Sequence, residues 1–339
     1  MRKSTEIVKS LIVFVLFFAV SSTVFAQETD PRLTIDVPYS LVQSWQSNTK
    51  ITFPKNIADF NKQQVLALQY YLQSRTYELP TTGVFDNPTK EALLNHQGGT
   101  KVALTKETEK NINAFLSFLY CPVGQTDADN ADYRLYNVNK KRLLPSNYIP
   151  NNLVIETKDE IMSAGPICAE SETYEALKRM YTAAKLEGVN LYVTSSYRSE
   201  DSQDYLLQVM IRRMGNSAYR IVALPGQSEH NLGTAVDFAG FEGGKRIPLA
   251  AGKQIGWLQK NAAEFGFVNS YPTGKEAVTG FNPEPWHYRY VGAPISNTLE
   301  TEGLTLSEFL DKHKDVINTQ VGTYGDVARL WLREVIIGG

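Results

Sequence analysis

The chain has 339 residues, is 42% hydrophobic and 21% charged, and carries a formal net charge of -2. That length allows about two domains, and the composition excludes wholesale disorder. The near-neutral balance lacks the basic face that nucleic acid requires, so no nucleic-acid partner is expected.

In the N-terminal segment Arg2, Lys3 and Lys9 precede the apolar run 11–20, and small residues lead up to Val24-Phe25-Ala26. A basic start, a short apolar core and small residues predict a signal peptide over 1–26, cut after Ala26. An uncleaved anchor is the alternative, although the run is short for a membrane span. The expectation is export to the periplasm, cell wall or exterior, with no stable membrane span once the leader is removed. No cysteine lies near the cut, which argues against a lipid anchor. Cys121 and Cys168 are the only cysteines. Export makes a bridge between them the expected state, with two buried thiols as the alternative.

Residues 27–56 form a polar lead-in, and a compact unit is expected over 57–99. Val65, Leu68, Gln69 and Leu72 have helical spacing. A turn at Pro80-Thr81-Thr82-Gly83 follows, and Asp86 or Asn87 can cap a second helix that has Pro88 in its first turn. The Leu-Gln pair, the Gly-Val-Phe-Asp turn and the Pro-x-Thr helix start resemble the small three-helix peptidoglycan-binding domain. The match departs from that family at Asp86, where a glycine is usual; a generic helical hairpin is the alternative.

Residues 100–131 are expected to connect this unit to the next, with Ile112, Phe115, Leu116 and Leu119 on one helical face. A second domain is expected over 132–310. Its predicted elements are a strand at 135–140, a helix over 171–187 with Tyr174, Leu177, Tyr181 and Ala184 inward, and a strand over 189–193. That strand delivers Ser195-Ser196-Tyr197-Arg198-Ser199. A helix capped by Ser199 or Asp201 then runs to about Met214, and another helix spans 253–264 with Ile255, Leu258, Ala262 and Phe265 inward. Residues 311–339 form an extension in which Val327, Leu330, Trp331 and Val335 suggest a short amphipathic helix.

Two stretches carry the chemistry: Ser228-Glu229-His230-Asn231-Leu232-Gly233-Thr234-Ala235-Val236-Asp237 and Glu284-Pro285-Trp286-His287-Tyr288. Alternation puts Val236 and Phe238 on one side of a strand and Asp237 on the other. It likewise separates Trp286, Tyr288 and Tyr290 from His287 and Arg289. Two imidazoles and a carboxylate can hold zinc with a position left open, and Glu284 can serve as a base. The helical His-Glu-x-x-His signature is absent. A hydrogen-bonded structural His–Asp pair is the alternative.

Ser-x-His-x-x-Gly-x-Ala-x-Asp (Ser228 to Asp237), Glu-x-Trp-His (Glu284 to His287) and Ser-x-Tyr-Arg-Ser (Ser195 to Ser199) resemble the VanY-type zinc D-alanyl-D-alanine carboxypeptidases. The resemblance continues in colinear order across roughly residues 132–310, through Ala223-Leu224-Pro225-Gly226, Tyr271-Pro272 and Tyr288-Arg289-Tyr290-Val291-Gly292. It implies one zinc ion per chain, with His230, Asp237 and His287 as ligands, a zinc-bound water as nucleophile and Glu284 as general base. It implies Arg198 as the cation that meets the substrate carbonyl or carboxylate, and Gln203 and Ser228 as substrate or supporting positions. The expected fold is α+β: a small antiparallel sheet with flanking helices carrying the zinc site, preceded by a small all-α three-helix domain. The implied activity is release of a C-terminal D-alanine from peptidoglycan stem peptides by a monomer. L,D-carboxypeptidase action, stem-peptide endopeptidase action and a non-catalytic wall-binding role are the alternatives.

Overall fold

The computed structural model describes residues 51–75, 77–117, 121–124, 134–146, 148–156 and 160–314. The expected signal peptide, Leu119 and the amphipathic stretch around Trp331 lie outside these residues. No helix among the described residues is long and apolar enough to cross a membrane.

Three helices come first: α1 (Lys62–Ser74), α2 (Asn87–Gln97) and α3 (Lys106–Ser117). Asn61 and Gln64 cap α1 reciprocally, and the Asp86 side chain caps α2 just ahead of Pro88. Val65, Leu68, Gln69 and Leu72, read as helical from their spacing, lie on α1 and are buried. The buried Gln69 amide binds Thr82, Val84 and Thr89 and accepts from the Gly83 N–H, so its polar groups are satisfied without water. On α3, Ile112, Phe115 and Leu116 are buried in the same apolar cluster as α1.

The rest is mixed. Strands β1 (Leu153–Ile155) and β2 (Cys168–Glu170) pair as a small antiparallel sheet, and α4 (Ser171–Leu186) follows directly. β3 (Leu191–Ser195) leads to α5 (Glu200–Met214), which Ser199 caps. Then come β4 (Ala235–Glu242), β5 (Lys245–Ile247), α6 (Gln254–Asn261), β6 (Phe267–Asn269), α7 (Glu276–Thr279), β7 (His287–Tyr290), α8 (Ala293–Glu302) and α9 (Leu306–Lys312). The main sheet has the order β3-β4-β7-β6, with β5 also on β4, and every pairing is antiparallel. This is the expected α+β architecture, with a helical region ahead of it.

One sheet face packs on α4 and α6 through Leu191, Val193, Val236, Phe238, Trp286 and Tyr288. The period-two alternation of β4 and β7 therefore sends Asp237, His287 and Arg289 to the opposite face. Tyr174, Ile255 and Phe265, expected inward, are only half-buried at the rim of this core.

One expected strand does not form. Residues 135–140 make only an isolated bridge, Asn139 to Arg142. The carbonyls of Arg134 and Tyr136 instead accept from the Arg289 guanidinium at 2.8 and 2.9 Å. Apolar alternation is present there, but those acceptors serve a side chain in place of a partner strand.

The two cysteines form a disulfide, with a Cα–Cα distance of 5.6 Å. It fastens residue 121 to β2.

Candidate functional site

Asp237 and His287 are direct cross-strand partners in the β4–β7 ladder. Their side chains leave the same face, and His287 Nδ1 meets Asp237 Oδ1 at 2.9 Å. His230 arrives from a short 3-10 turn, Glu229–Leu232, which ends on Gly233 at φ 71°. A side chain at Gly233 would meet Leu153 at 2.9 Å in addition to the strain of that φ, so the tight reversal needs glycine. The reversal folds His230 back over the start of β4, and its Nε2 lies 3.1 Å from Asp237 Oδ2. One potential ligand atom from each of His230, Asp237 and His287 lies within 4.8 Å of the others.

The tautomer of His230 tests the fit to a metal. Its Nδ1 faces the Ser196 carbonyl at 2.7 Å, and a carbonyl only accepts, so Nδ1 carries the proton. Nε2 therefore presents a lone pair, and the group that faces it at 3.1 Å, Asp237 Oδ2, can also only accept. Burial, reinforced by Arg198, pushes the His230 pKa down to about 4, which keeps the ring neutral against the pull of Asp237. A neutral imidazole lone pair facing a carboxylate oxygen is unfavourable unless a cation sits between them. A neutral nitrogen donor, a carboxylate and a second imidazole also suit zinc in kind and number.

A hydrogen-bond chain stands behind His287. Its Nε2 meets Glu229 Oε2 at 2.9 Å, and Glu229 also accepts from Ser270 Oγ at 2.6 Å and Arg289 Nη1 at 3.0 Å. Burial works against ionisation of Glu229, but Arg289 and His287 outweigh it and hold the carboxyl down at about 2. For His287, burial is outweighed by the hydrogen bonds to Asp237 and Glu229, which lift its pKa to about 10. Asp237 is likewise held well below the ordinary carboxylate range, because His230 and His287 overcome its burial.

Glu284 lies in the loop before β7. Its N–H donates to the Tyr271 carbonyl at 3.0 Å, and its carbonyl accepts from Asn269 Nδ2 at 2.7 Å. Its side chain lines a small cleft together with Arg198, Gln203, Ser228, His230, Tyr271 and His287. Burial pushes its pKa up to about 8, with Asp237 adding to the rise and His287 and Arg198 partly offsetting it.

Arg198 follows β3, which pairs with β4 through Ser195 and Asp237 across a register shift. That shift carries the next residues over the site. Arg198 Nη2 comes to 3.7 Å from Asp237 Oδ2, and the loop is tied down by Arg198 N–H to the His230 carbonyl and by Asn231 Nδ2 to the Arg198 carbonyl. Gln203 donates to the Ala223 carbonyl at 2.8 Å, while its Oε1 is buried with no partner among the described residues. Ser228 caps the His230 turn through the His230 N–H, and it too lines the cleft.

All seven residues singled out from sequence thus converge on one site. Glu229, Ser270 and Arg289 had no assigned role, although an arginine on the same buried strand face as His287 signals that a carboxylate must lie nearby. Tyr271 was also without a role. Its ring lies 4.9 Å from that of His287, and burial raises its pKa well above the ordinary phenol value, which keeps the hydroxyl neutral.

Residues 167–293 match the family model for VanY, D-alanyl-D-alanine carboxypeptidase. YodJ of Bacillus subtilis (strain 168), named as a carboxypeptidase, is 36% identical over 200 residues, covering 57% of this chain and 72% of its own. The D-alanyl-D-alanine carboxypeptidase of Enterococcus faecalis (strain ATCC 700802 / V583) is 31% identical over 197 residues, covering 55% of this chain and 69% of its own. A mutant of the vancomycin-resistance D,D-pentapeptidase VanY, solved with Zn(II), is 29% identical; the match covers 52% of this chain and 99% of that one at a TM-score of 0.46.

Proposed function

Because the chain belongs to the VanY family of D-alanyl-D-alanine carboxypeptidases, which are zinc-dependent hydrolases, we propose that it removes the C-terminal D-alanine from peptidoglycan stem peptides. The observation that carries this reading is the convergence of His230, Asp237 and His287 beside a cleft that His230 and His287 line together with Glu284 and Arg198.

In this proposal His230, Asp237 and His287 hold the zinc. Bound there, zinc supplies Lewis acidity, which activates water and polarises a carbonyl. Glu284 takes a proton from the attacking water on its carboxylate and returns it to the amine nitrogen of D-alanine as the C–N bond breaks. Its buried setting keeps its proton affinity close to that of the groups it must exchange with. Arg198 presents a fixed planar donor to the oxygen that gains negative charge at the scissile carbonyl, or to the terminal carboxylate. Gln203 offers its unpartnered Oε1 to a substrate N–H. Ser228 holds the His230 turn in place and borders the same space.

The N-terminal helices, in this account, form a module that holds the enzyme on the wall and raises the local concentration of stem peptide. Export, directed by the sequence before residue 27, places the enzyme where that polymer lies.

Mass spectrometry of a pentapeptide stem incubated with the zinc-loaded protein tests the function. Loss of a single terminal alanine is expected. Loss of a residue only from tetrapeptides would replace the assignment with L,D-carboxypeptidase action, and cleavage within the stem would replace it with endopeptidase action.

A further inference from the structure

One apolar cluster runs without a break from the N-terminal helices into the catalytic domain. It contains Tyr71 and Leu72 of α1, Leu93 of α2 and Phe115 of α3, together with Leu206 and Met210 of α5. It also contains Ala218 and Val222, which lie beyond the end of α5. Val222 belongs to two structures at once, because Ile221, Val222 and Ala223 line the cleft that holds His230, Glu284 and His287.

This wall has little regular structure of its own. Residues 215–220 form a short 3-10 turn directly after Met214, so no ladder or long helix fixes the segment. Side-chain and loop contacts hold it from outside the helical cluster. Gln203 donates to the Ala223 carbonyl at 2.8 Å, the Asn282 N–H donates to the Arg220 carbonyl at 2.8 Å, and Lys140 Nζ joins the Tyr219 and Gly280 carbonyls at 2.8 and 2.5 Å. The same segment shares one apolar cluster with the N-terminal helices, in which Ala218 and Val222 are buried along with Phe115. Close-packed interiors transmit displacement, so loosening this packing moves the wall.

We infer that the N-terminal helices are a positioning part of the substrate cleft, setting how tightly the peptide binds through the Ile221–Ala223 wall. The inference builds on the stem-peptidase assignment and adds to its tether a direct mechanical share in substrate binding. Phe115 and Leu116 act here as positioning residues, because neither lines the cleft.

The test uses the full chain loaded with zinc. Phe115→Ala should raise KM for a stem pentapeptide on the order of tenfold, leave kcat within about twofold, and keep one zinc per chain. Phe115→Leu should restore KM. Amide hydrogen exchange should show faster exchange at residues 218–223 in Phe115→Ala, together with the loosened helices. If Phe115→Ala does not fold, Leu116→Ala, at the edge of the cluster, is measured in the same way. Loosened α1–α3 with unchanged exchange at 218–223 and unchanged KM would overturn the inference and leave the helices as a tether alone. A wild-type protein that cleaves no stem peptide would overturn the proposed function instead, and the exchange measurement would still decide the mechanical coupling.

Discussion

Glu229 Oε2 accepts from His287 Nε2 at 2.9 Å, so the imidazole that faces Asp237 with one nitrogen is held from behind through the other. A carboxylate behind a metal-binding histidine fixes its orientation and raises its basicity. Glu229→Gln should therefore lower zinc affinity about 10–100-fold while preserving the fold. Chelator competition measures this, and wild-type affinity in the variant would remove Glu229 from that role.

Glu284→Gln should retain stoichiometric zinc and lose about 10²–10⁴-fold in kcat. The base must be ionised to accept a proton, so kcat/KM should fall as pH drops through its pKa. Burial pushes that pKa up to about 8, and a cation in the neighbouring site pulls it back down, so the acidic limb should lie below pH 8. The limb should vanish from the residual activity of Glu284→Gln. A limb of wild-type shape in that variant would assign the titration to another group.

Arg198→Lys should keep zinc but lose about tenfold or more in kcat/KM, since an ammonium cannot reproduce a fixed planar donor. Metal analysis with steady-state kinetics separates the two readouts. Loss of zinc with intact turnover per bound metal would make Arg198 a support for Asp237, which lies 3.7 Å away.

The Cys121–Cys168 bridge closes a loop with a sequence separation of 47. Constraining a loop of that length in the unfolded chain stabilises the fold by about 4 kcal/mol in the chain-entropy account. The double Ser variant should lose about that much in urea unfolding. It should also bind zinc less tightly. The Cys168 N–H donates to Ser196 Oγ, and the Ser196 carbonyl orients His230, so β2 is joined to a proposed zinc ligand. Unchanged zinc affinity would show that the bridge acts on global stability alone.

The parts of the site that were legible in the sequence are those governed by local periodicity. Asp237 and His287 sit in strands whose other face is aromatic or β-branched, so alternation alone gave them a direction. Ser199 and Asp86 precede helices in ordinary capping positions. What stayed hidden depends on distant partners. Glu229 lies in a short 3-10 turn that has no face to assign, and its partner Arg289 is 60 residues away in sequence. Residues 135–140 alternate like a strand, but whether a strand forms depends on a neighbour, and Arg289 takes the carbonyls instead. The apolar stripe of α3 was partly visible, but no periodicity says that it packs in one cluster with α5.

The most direct test of the whole account joins metal content to product identity in wild type and His230→Ala. Wild-type protein should carry one zinc per chain and release only the terminal D-alanine from a stem pentapeptide. His230→Ala should lose both the zinc and the product. Stoichiometric zinc in His230→Ala, or metal-loaded wild type that releases nothing from any stem peptide, would contradict it.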